Sequence, residues 1–316
     1  MILMPTDKQK IGLALGSGSA RGWGHIGVIK ALQEQHGIRP DIICGCSIGA
    51  LVGAALACRH MDQLEQWVRD ISMRDIVRLL DFNLGAGGLI QGERLLESFC
   101  RYVDNVPIEQ LPVPFGAIAT DLESGRECWL QQGSLHDAVR ASIALPGLFS
   151  PHHLRHQWLV DGGLVNPVPV SLCRAMGADI VIAVNLNSEL VGNHARAEGR
   201  ETRLALALPQ NELLQKIATG LTPLAKRAKA MLTNGDDDIR IPGMFEAMTG
   251  AIDIMQDRIT RSRLAGDPPD VLISPRLGHM GLLEFDRGEE AIEEGYAAVA
   301  SAVANGAFRA VNMEVT

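Results

Sequence analysis

The stretch Asp41-Ile-Ile-Cys-Gly-Cys-Ser-Ile-Gly49 carries most of the information about the fold of this chain. Its first four residues predict a buried strand, and the small apolar residues from Gly49 to Cys58 predict a helix. The G-x-S-x-G pattern between them stands in the strand–turn–helix context in which this motif displays a serine. We therefore predict that Ser47 is a nucleophile. The alternative is a plain turn whose glycines, Gly45 and Gly49, serve close packing.

A second strand–turn–helix unit precedes this one. Ile11-Gly-Leu-Ala-Leu15 predicts a strand, Gly16-Ser-Gly-Ser-Ala-Arg-Gly22 a glycine-rich turn, and the residues from about His25 to Gln35 a helix. Further strands are predicted at 114–120, 179–184 and 268–274, and a closing helix at 289–304. This succession is typical of an α/β fold with a mainly parallel sheet.

The glycine-rich turn points successive backbone N–H groups into one hollow, which favours an anion. One candidate is the oxyanion of a tetrahedral intermediate, which fixed N–H donors stabilise. The other is a dinucleotide pyrophosphate, because Gly16-x-Gly18 resembles half of a Rossmann fingerprint and Asp41 follows about 20 residues later. Against the dinucleotide, Gly22 falls one position late and Arg21 stands where the fingerprint has a small residue. A turn that binds nothing is the third interpretation.

A carboxylate follows another predicted strand, at Asp161-Gly162-Gly163. The two glycines allow this carboxylate to approach a neighbouring loop, although an ordinary Asp-Gly turn is the simpler interpretation. A Ser-His-Asp triad is an alternative in which His194 or His279 follows Asp161, and His279 is the better candidate because it follows a predicted strand.

The composition limits the classes of partner and cofactor. The 316 residues include 47% hydrophobic and only 4% aromatic residues, and the 37 acidic against 29 basic residues give a net charge of −8, which argues against nucleic-acid binding. No spacing typical of a zinc site occurs, and we expect no metal and no cofactor. The six cysteines are interpreted as reduced, buried thiols of a cytoplasmic protein: Cys44, Cys46, Cys58, Cys100, Cys128 and Cys173.

We expect one domain over residues 1–316, with a core at about 11–187, an irregular insertion at about 188–244, and a C-terminal strand and helices at about 245–316. No signal peptide is recognised, and no window reaches the roughly 20 apolar residues of a membrane span. Inside the insertion an apolar series recurs at helical spacing beside basic residues. It predicts either a helix packed on the core or a basic amphipathic helix that lies on an anionic inner membrane. The apolar residues are Leu213, Ile217, Leu221 and Leu224, and the basic ones are Lys216, Lys226, Arg227 and Lys229.

The motifs in this order resemble those of the patatin-like phospholipase family, and in particular its bacterial members related to neuropathy target esterase. The resemblance covers residues 11 to about 187 and also the tail from about Asp253 to Tyr296. It is carried by Leu15–Gly22 with His25-Ile-Gly27, Gly45–Gly49, Ala119-Thr-Asp-Leu122 with Gly125, Val139-Arg-Ala-Ser142 with Pro146-Gly147, and Asp161–Gly163 with Asn166-Pro167.

The resemblance implies a three-layer α/β/α sandwich and a hydrolase of lipid or lysophospholipid esters that uses a Ser–Asp dyad. Carried onto this chain, Ser47 is the nucleophile and Asp161 the general base. The oxyanion hole then comes from Ser17, Gly18, Ser19, Ala20 and Arg21, and the motif is supported by Gly16, Gly22, Gly45, Gly49, Gly162 and Gly163. We expect burial to raise the pKa of Asp161, because an ordinary aspartate is a weak base at neutral pH.

The chain departs from the family pattern at Ser17 and Ser19, where the family usually has glycines. Backbone donors survive this change, but the backbone angles of the loop and the room beside an acyl carbonyl are affected. Two other functions remain as alternatives: a regulatory or scaffold protein with little turnover, and the dinucleotide-binding oxidoreductase.

Overall fold

The computed structural model describes residues 9–72, 75, 88–90, 97–99, 102–188 and 244–309. Most of the predicted insertion, including the amphipathic series between Leu213 and Lys229, lies outside these ranges. The membrane contact assigned to that series therefore stays a prediction.

Ten strands and seven α-helices have defined bounds in the described ranges, which also contain helical residues at 75 and 97–99. The strands are β1 (Ile11–Leu15), β2 (Ile42–Cys46), β3 (Gly88–Ile90), β4 (Phe115–Asp121), β5 (Glu127–Leu130), β6 (Gly147–Phe149), β7 (His152–Leu154), β8 (Gln157–Asp161), β9 (Ile180–Val184) and β10 (Val271–Ile273). The helices are α1 (Gly24–His36), α2 (Ile48–Ala57), α3 (Met61–Asp70), α4 (Leu135–Ser142), α5 (Val170–Ala175), α6 (Met244–Gly266) and α7 (Gly288–Ala304).

Eight of the strands form one sheet. Hydrogen bonds link β10, β9, β1, β2, β4, β8 and β7 in that order, and β5 also pairs with β4. The five strands from β10 to β4 are parallel, whereas β5, β7 and β8 are antiparallel to their partners. Strands β3 and β6 form a separate parallel pair. The main sheet is therefore mainly parallel, as predicted.

Helices cover the central strands on both faces. Successive side chains of these strands are therefore buried alternately on one face and the other. Leu13 and Leu15 of β1 belong to a large apolar cluster with α1, α2, α3 and α7. Ala14, which lies between them, belongs to a smaller cluster on the opposite face that includes α5. Burial on both faces explains why these strands are continuous apolar runs. The three-layer α/β/α sandwich predicted from the sequence is confirmed.

Two strands share one edge of β4. Ile118 of β4 lies opposite Cys46 of β2, and the next residue, Ala119, lies opposite Asp161 of β8. Strand β5 pairs with the same two β4 residues and so occupies the other edge. Because β2 is parallel and β8 antiparallel to β4, their carboxyl ends meet. The residue after Cys46 is thereby brought close to Asp161.

The packing of α1 against α7 depends on glycines that let two backbones approach. A Cβ atom at Gly27 would lie 1.8 Å from the carbonyl oxygen of Ile292, and one at Gly295 would lie 2.0 Å from that of Gly24. These distances are far below van der Waals contact, so a side chain at either position would separate the two helices. Helix α1 follows directly from the glycine-rich turn, and its position therefore sets that of the turn.

Within the described ranges, no helix combines the length and the apolar character that crossing a bilayer requires.

We predict that Gly27→Ala lowers the free energy of unfolding by about 3 kcal/mol, because the new methyl group meets a backbone oxygen that cannot move alone. Gly250→Ala is the matched control, since a Cβ atom there meets nothing within 4 Å. In the interior of α6 this control should be neutral or stabilise by up to about 1 kcal/mol. Urea denaturation of both variants tests the packing, and equal stabilities would contradict it.

Candidate active site

Ser47 lies at the turn between β2 and α2 in a strained conformation, with φ of 55° and ψ of −125°. Positive φ is costly for a residue with a side chain, so the surroundings must hold it. Its N–H donates to Ser142 Oγ at 2.8 Å, and its carbonyl accepts from Ala50 N at 2.8 Å. Gly49 allows the turn to pack, because a Cβ atom there would lie 2.2 Å from the carbonyl oxygen of Leu15.

The hydroxyl of Ser47 donates a hydrogen bond of 2.6 Å to Asp161 Oδ2. The other carboxylate oxygen, Oδ1, accepts from the backbone N–H of Gly163 at 2.7 Å. The carboxylate is thus oriented by its own chain on one side and contacts the serine on the other. The two residues that the sequence singled out meet directly, without a third side chain between them.

Burial changes the acidity of Asp161. The residue is 1% exposed, and this desolvation raises its pKa from 3.8 to about 6, although the hydrogen bonds from Ser47 and Gly163 act in the opposite direction. The direction agrees with the expectation from the sequence. A carboxylate with such a pKa is ionised at neutral pH and is a stronger base than an ordinary aspartate.

The backbone N–H groups of the five residues predicted for the oxyanion hole fall into two sets. Those of Ser17, Ala20 and Arg21 donate to the carbonyl oxygens of Pro167, Leu282 and Gly18, respectively. Those of Gly18 and Ser19 have no acceptor within the described part of the chain, and both residues line the cavity at Ser47. Of the five residues predicted for the oxyanion hole, Gly18 and Ser19 are those whose N–H groups have no acceptor among the described residues.

The side chains of the same turn attach it to the C-terminal part of the chain. Ser17 Oγ donates to Gln256 Oε1 at 3.1 Å, and Ser19 Oγ donates to the carbonyl of Leu282 at 2.6 Å. The guanidinium of Arg21 is buried and forms an ion pair of 2.9 Å with Asp253 of α6. Arg21 thus anchors the turn, and its charge does not face the cavity.

The cavity beside Ser47 is mostly apolar and comprises about 500 Å³, part of it open to solvent. In the described part of the chain, Asp161 is the only charged residue that lines it. The polar part of the wall consists of Gly18, Ser19, Ser47, Asp161 and Gln256. Its apolar part is made by Ile48, Leu51, Ile143, Leu145, Leu148, Phe149, Ile252, Leu282 and Phe285.

The histidine predicted for a triad lies elsewhere. His279 is half exposed, and its Nε2 forms a hydrogen bond of 2.7 Å with Glu290 of α7. The triad prediction for His279 is therefore wrong, because its ring is bonded to Glu290 of α7 and does not line the cavity at Ser47. His194 lies outside the described residues.

The dinucleotide alternative also fails on geometry. Asp41 accepts a hydrogen bond from the N–H of Ile11, the first residue of β1, at 2.9 Å. It therefore lies at the amino end of the sheet, whereas the glycine-rich turn follows the carboxyl end of β1. An acidic residue that binds a ribose must lie beside the turn that binds the pyrophosphate. The interpretation of Asp41 as a ribose ligand is wrong.

Three residues of the site were not assigned a role from the sequence. Ser142 holds the amide of Ser47, and Gln256 lines the cavity. His25 is fully buried, which lowers its pKa to about 4, so its neutral ring donates from Nε2 to the carbonyl of Gly16 at 2.7 Å. Ser142 and His25 belong to motifs that carry the family resemblance, and this was the available signal. Gln256 lies in the tail that also shows the resemblance, but no motif singled it out, and only the fold brings α6 to this cavity.

The described residues contain no group of three or more His, Cys, Asp or Glu side chains arranged to hold a metal ion.

We predict that Asp161→Asn stabilises the folded protein by about 2 kcal/mol at neutral pH. The folded-state pKa of about 6 lies above the ordinary 3.8. Ionisation of the carboxyl group therefore lowers the free energy of unfolding as the pH rises from about 4 to about 6. The neutral amide avoids this loss and keeps a hydrogen bond to Ser47. Urea denaturation at about pH 8 and about pH 4 tests this prediction, because the advantage should vanish at the lower pH.

The exposed Asp104→Asn is the control for that experiment, and its effect should stay below about 0.5 kcal/mol at both pH values. A stabilisation by Asp161→Asn that does not depend on pH would contradict the burial argument.

Comparison with known proteins shows the family of this chain. The model of the patatin-like phospholipase family matches residues 13–174. An uncharacterised NTE family protein of Mycobacterium bovis is 36% identical over 336 residues, which cover 94% of this chain and 92% of that protein. The patatin-like phospholipase domain-containing protein 6 of the mouse is 35% identical over 191 residues, which cover 57% of this chain and 14% of that protein.

Among solved structures, VipD from Legionella pneumophila matches with a TM-score of 0.45 and 14% identity, covering 94% of this chain and 67% of that one. The family model spans Ser47, Asp161 and the glycine-rich turn, and the two relatives are 36% and 35% identical to this chain over the aligned residues. The resemblance inferred from the motifs is thus confirmed, and the chain belongs to the patatin-like phospholipase family.

Proposed function

We propose that this protein is a serine acyl-ester hydrolase that cleaves lipid or lysophospholipid esters through Ser47 and Asp161. The observation that carries the proposal is the hydrogen bond of 2.6 Å from Ser47 Oγ to the buried carboxylate of Asp161. It lies at the wall of a mostly apolar cavity that Gly18 and Ser19 also line. The backbone N–H groups of these two residues have no acceptor among the described residues. Membership of the patatin-like phospholipase family supports a lipid ester as the substrate.

In the first half of the reaction Ser47 Oγ attacks the acyl carbonyl carbon, and its proton passes to Asp161. The carbonyl oxygen becomes an oxyanion, which accepts hydrogen bonds from the N–H groups of Gly18 and Ser19. The positive end of the α2 dipole lies directly behind Ser47 and favours the same charge. The intermediate then expels the alcohol, which takes the proton from Asp161, and an acyl ester of Ser47 remains.

In the second half a water molecule replaces the alcohol. Asp161 removes a proton from this water as its oxygen attacks the acyl-enzyme carbonyl, and the same two N–H groups stabilise the second oxyanion. Collapse of the intermediate releases the fatty acid and returns the proton to Ser47 Oγ. The enzyme needs one base for both halves, and Asp161 is placed to be that base.

The walls of the cavity favour an acyl chain over a charged group. Each methylene group transferred from water to such a wall contributes about 0.8 kcal/mol. In the described part of the chain no cationic side chain lines the cavity that would hold a phosphate. We infer that the acyl chain enters the cavity and that the polar part of the lipid stays at its mouth.

We predict that Ser47→Ala lowers kcat for p-nitrophenyl esters by at least about 1,000-fold, because no nucleophile replaces the hydroxyl. The wild-type protein should also react with a fluorophosphonate probe, and its KM should decrease with acyl length until the cavity is filled. Ser301→Ala is the control, since this exposed hydroxyl bonds only within α7. A Ser47 that stays inert to the probe would contradict the proposal and favour the scaffold alternative.

We predict that kcat/KM falls about tenfold for each unit by which the pH is lowered below about 6, because protonated Asp161 cannot accept the serine proton. Activity should reach a plateau above that pH. A profile measured at two temperatures identifies the group, since carboxylate ionisation has little enthalpy and imidazole ionisation has much more. A midpoint that shifts with temperature would contradict the assignment to Asp161.

A further inference from the structure

The side-chain amide of Gln256 lies in the wall of the cavity, although the residue belongs to α6 and is distant in sequence from the dyad. It is 5% exposed and lines the cavity together with Ser47 and Asp161. A polar side chain buried in an otherwise apolar wall needs partners for its oxygen and its nitrogen.

The amide oxygen of Gln256 has two partners, and they set the orientation of the group. Oε1 accepts from Ser17 Oγ at 3.1 Å and from Asn187 Nδ2 at 3.1 Å. Both partners lie on the side of the glycine-rich turn. The nitrogen Nε2 is therefore directed to the opposite side.

That opposite side is the side of Asp161. A Cβ atom built at Gly163 would lie 2.5 Å from Gln256 Nε2 and 3.0 Å from Asp161 Oδ1. The amide nitrogen and the carboxylate thus flank the same glycine. Nε2 has no acceptor within the described residues, so its N–H groups are available to a group bound beside Asp161.

The chemistry of ester cleavage requires an oxygen at this place. In acylation the leaving alcohol oxygen must lie beside Asp161 to receive its proton, and in deacylation the attacking water must occupy the same position. Negative charge develops on the leaving oxygen as its bond to the acyl carbon breaks, and an N–H donor beside it stabilises that charge.

We propose that Gln256 is a further catalytic residue whose Nε2–H donates to the leaving oxygen in acylation and to the water oxygen in deacylation. This proposal rests on the proposed function. It divides the polar groups of the cavity into two sets: Gly18 and Ser19 serve the carbonyl oxygen, whereas Gln256 and Asp161 serve the oxygen that leaves or attacks.

The test is a series of esters with one acyl chain and alcohols of increasing basicity: p-nitrophenyl, phenyl and ethyl. For Gln256→Met, kcat/KM for the ethyl ester should fall about 100-fold, because a basic leaving oxygen carries more negative charge as it departs. The p-nitrophenyl ester should lose less than about threefold, since its leaving oxygen needs little assistance.

Ser17→Ala is the matched control. It removes one bond to Gln256 Oε1 and leaves Nε2 in place, so any loss of kcat/KM should be the same for all three esters. Gln256→Glu is the second variant: its carboxylate still accepts from Ser17 and Asn187 but replaces the donor by an acceptor. Above the pH at which Asp161 ionises, it should show the same dependence on the leaving group as Gln256→Met.

Losses that are equal across the series in both Gln256 variants would overturn the proposal, because they would reflect only the support of the turn. In that case a wild-type protein that still needs Ser47 for ester cleavage keeps the proposed function intact. A wild-type protein without any Ser47-dependent ester cleavage overturns the proposed function and, with it, the role of Gln256.

Discussion

The hydrogen bond between Ser47 Oγ and Asp161 Oδ2 depends on the edge of β4, where β2 and β8 end against each other. Neither strand contacts the other along its length, so the register of each strand on β4 sets the position of its last residue. A shift of one residue in either strand would turn the side chains of that strand to the other face of the sheet. The contact between Ser47 and Asp161 therefore depends on the sheet register.

The position of Asp161 also determines its acidity. At the meeting point of two strand ends Asp161 is surrounded by backbone and apolar side chains, and this removal from water raises its pKa to about 6. Two hydrogen bonds, from Ser47 and Gly163, offset part of the desolvation and keep the carboxylate oriented. The dyad proposed for this protein, which has no histidine, is consistent with this balance, because a carboxylate alone becomes a useful base only when water is excluded.

The C-terminal part of the chain completes the site. The family model ends at residue 174, yet the partners of the turn's side chains lie beyond it, at Asn187, Asp253, Gln256 and Leu282. Two of the bonds that attach the turn come from the hydroxyl groups of Ser17 and Ser19. Glycines at these positions, as in the usual family pattern, have no side chain to make such bonds. The departure from the pattern therefore joins the turn to α6 and to the segment that precedes α7.

The sequence by itself determined the five parallel strands, the two turns that follow β1 and β2, and the candidate residues Ser47 and Asp161, because these depend on local apolar runs and on glycines at short spacing. It did not determine which N–H groups of the turn remain available, since Ser17 and Ala20 donate theirs to acceptors distant in the chain and Arg21 donates to Gly18 within the turn. Nor did it distinguish His279 from a triad member or assign Gln256. Only the tertiary structure decided these points, because side chains far apart in sequence meet where the sheet register and the packing of α6 and α7 bring them.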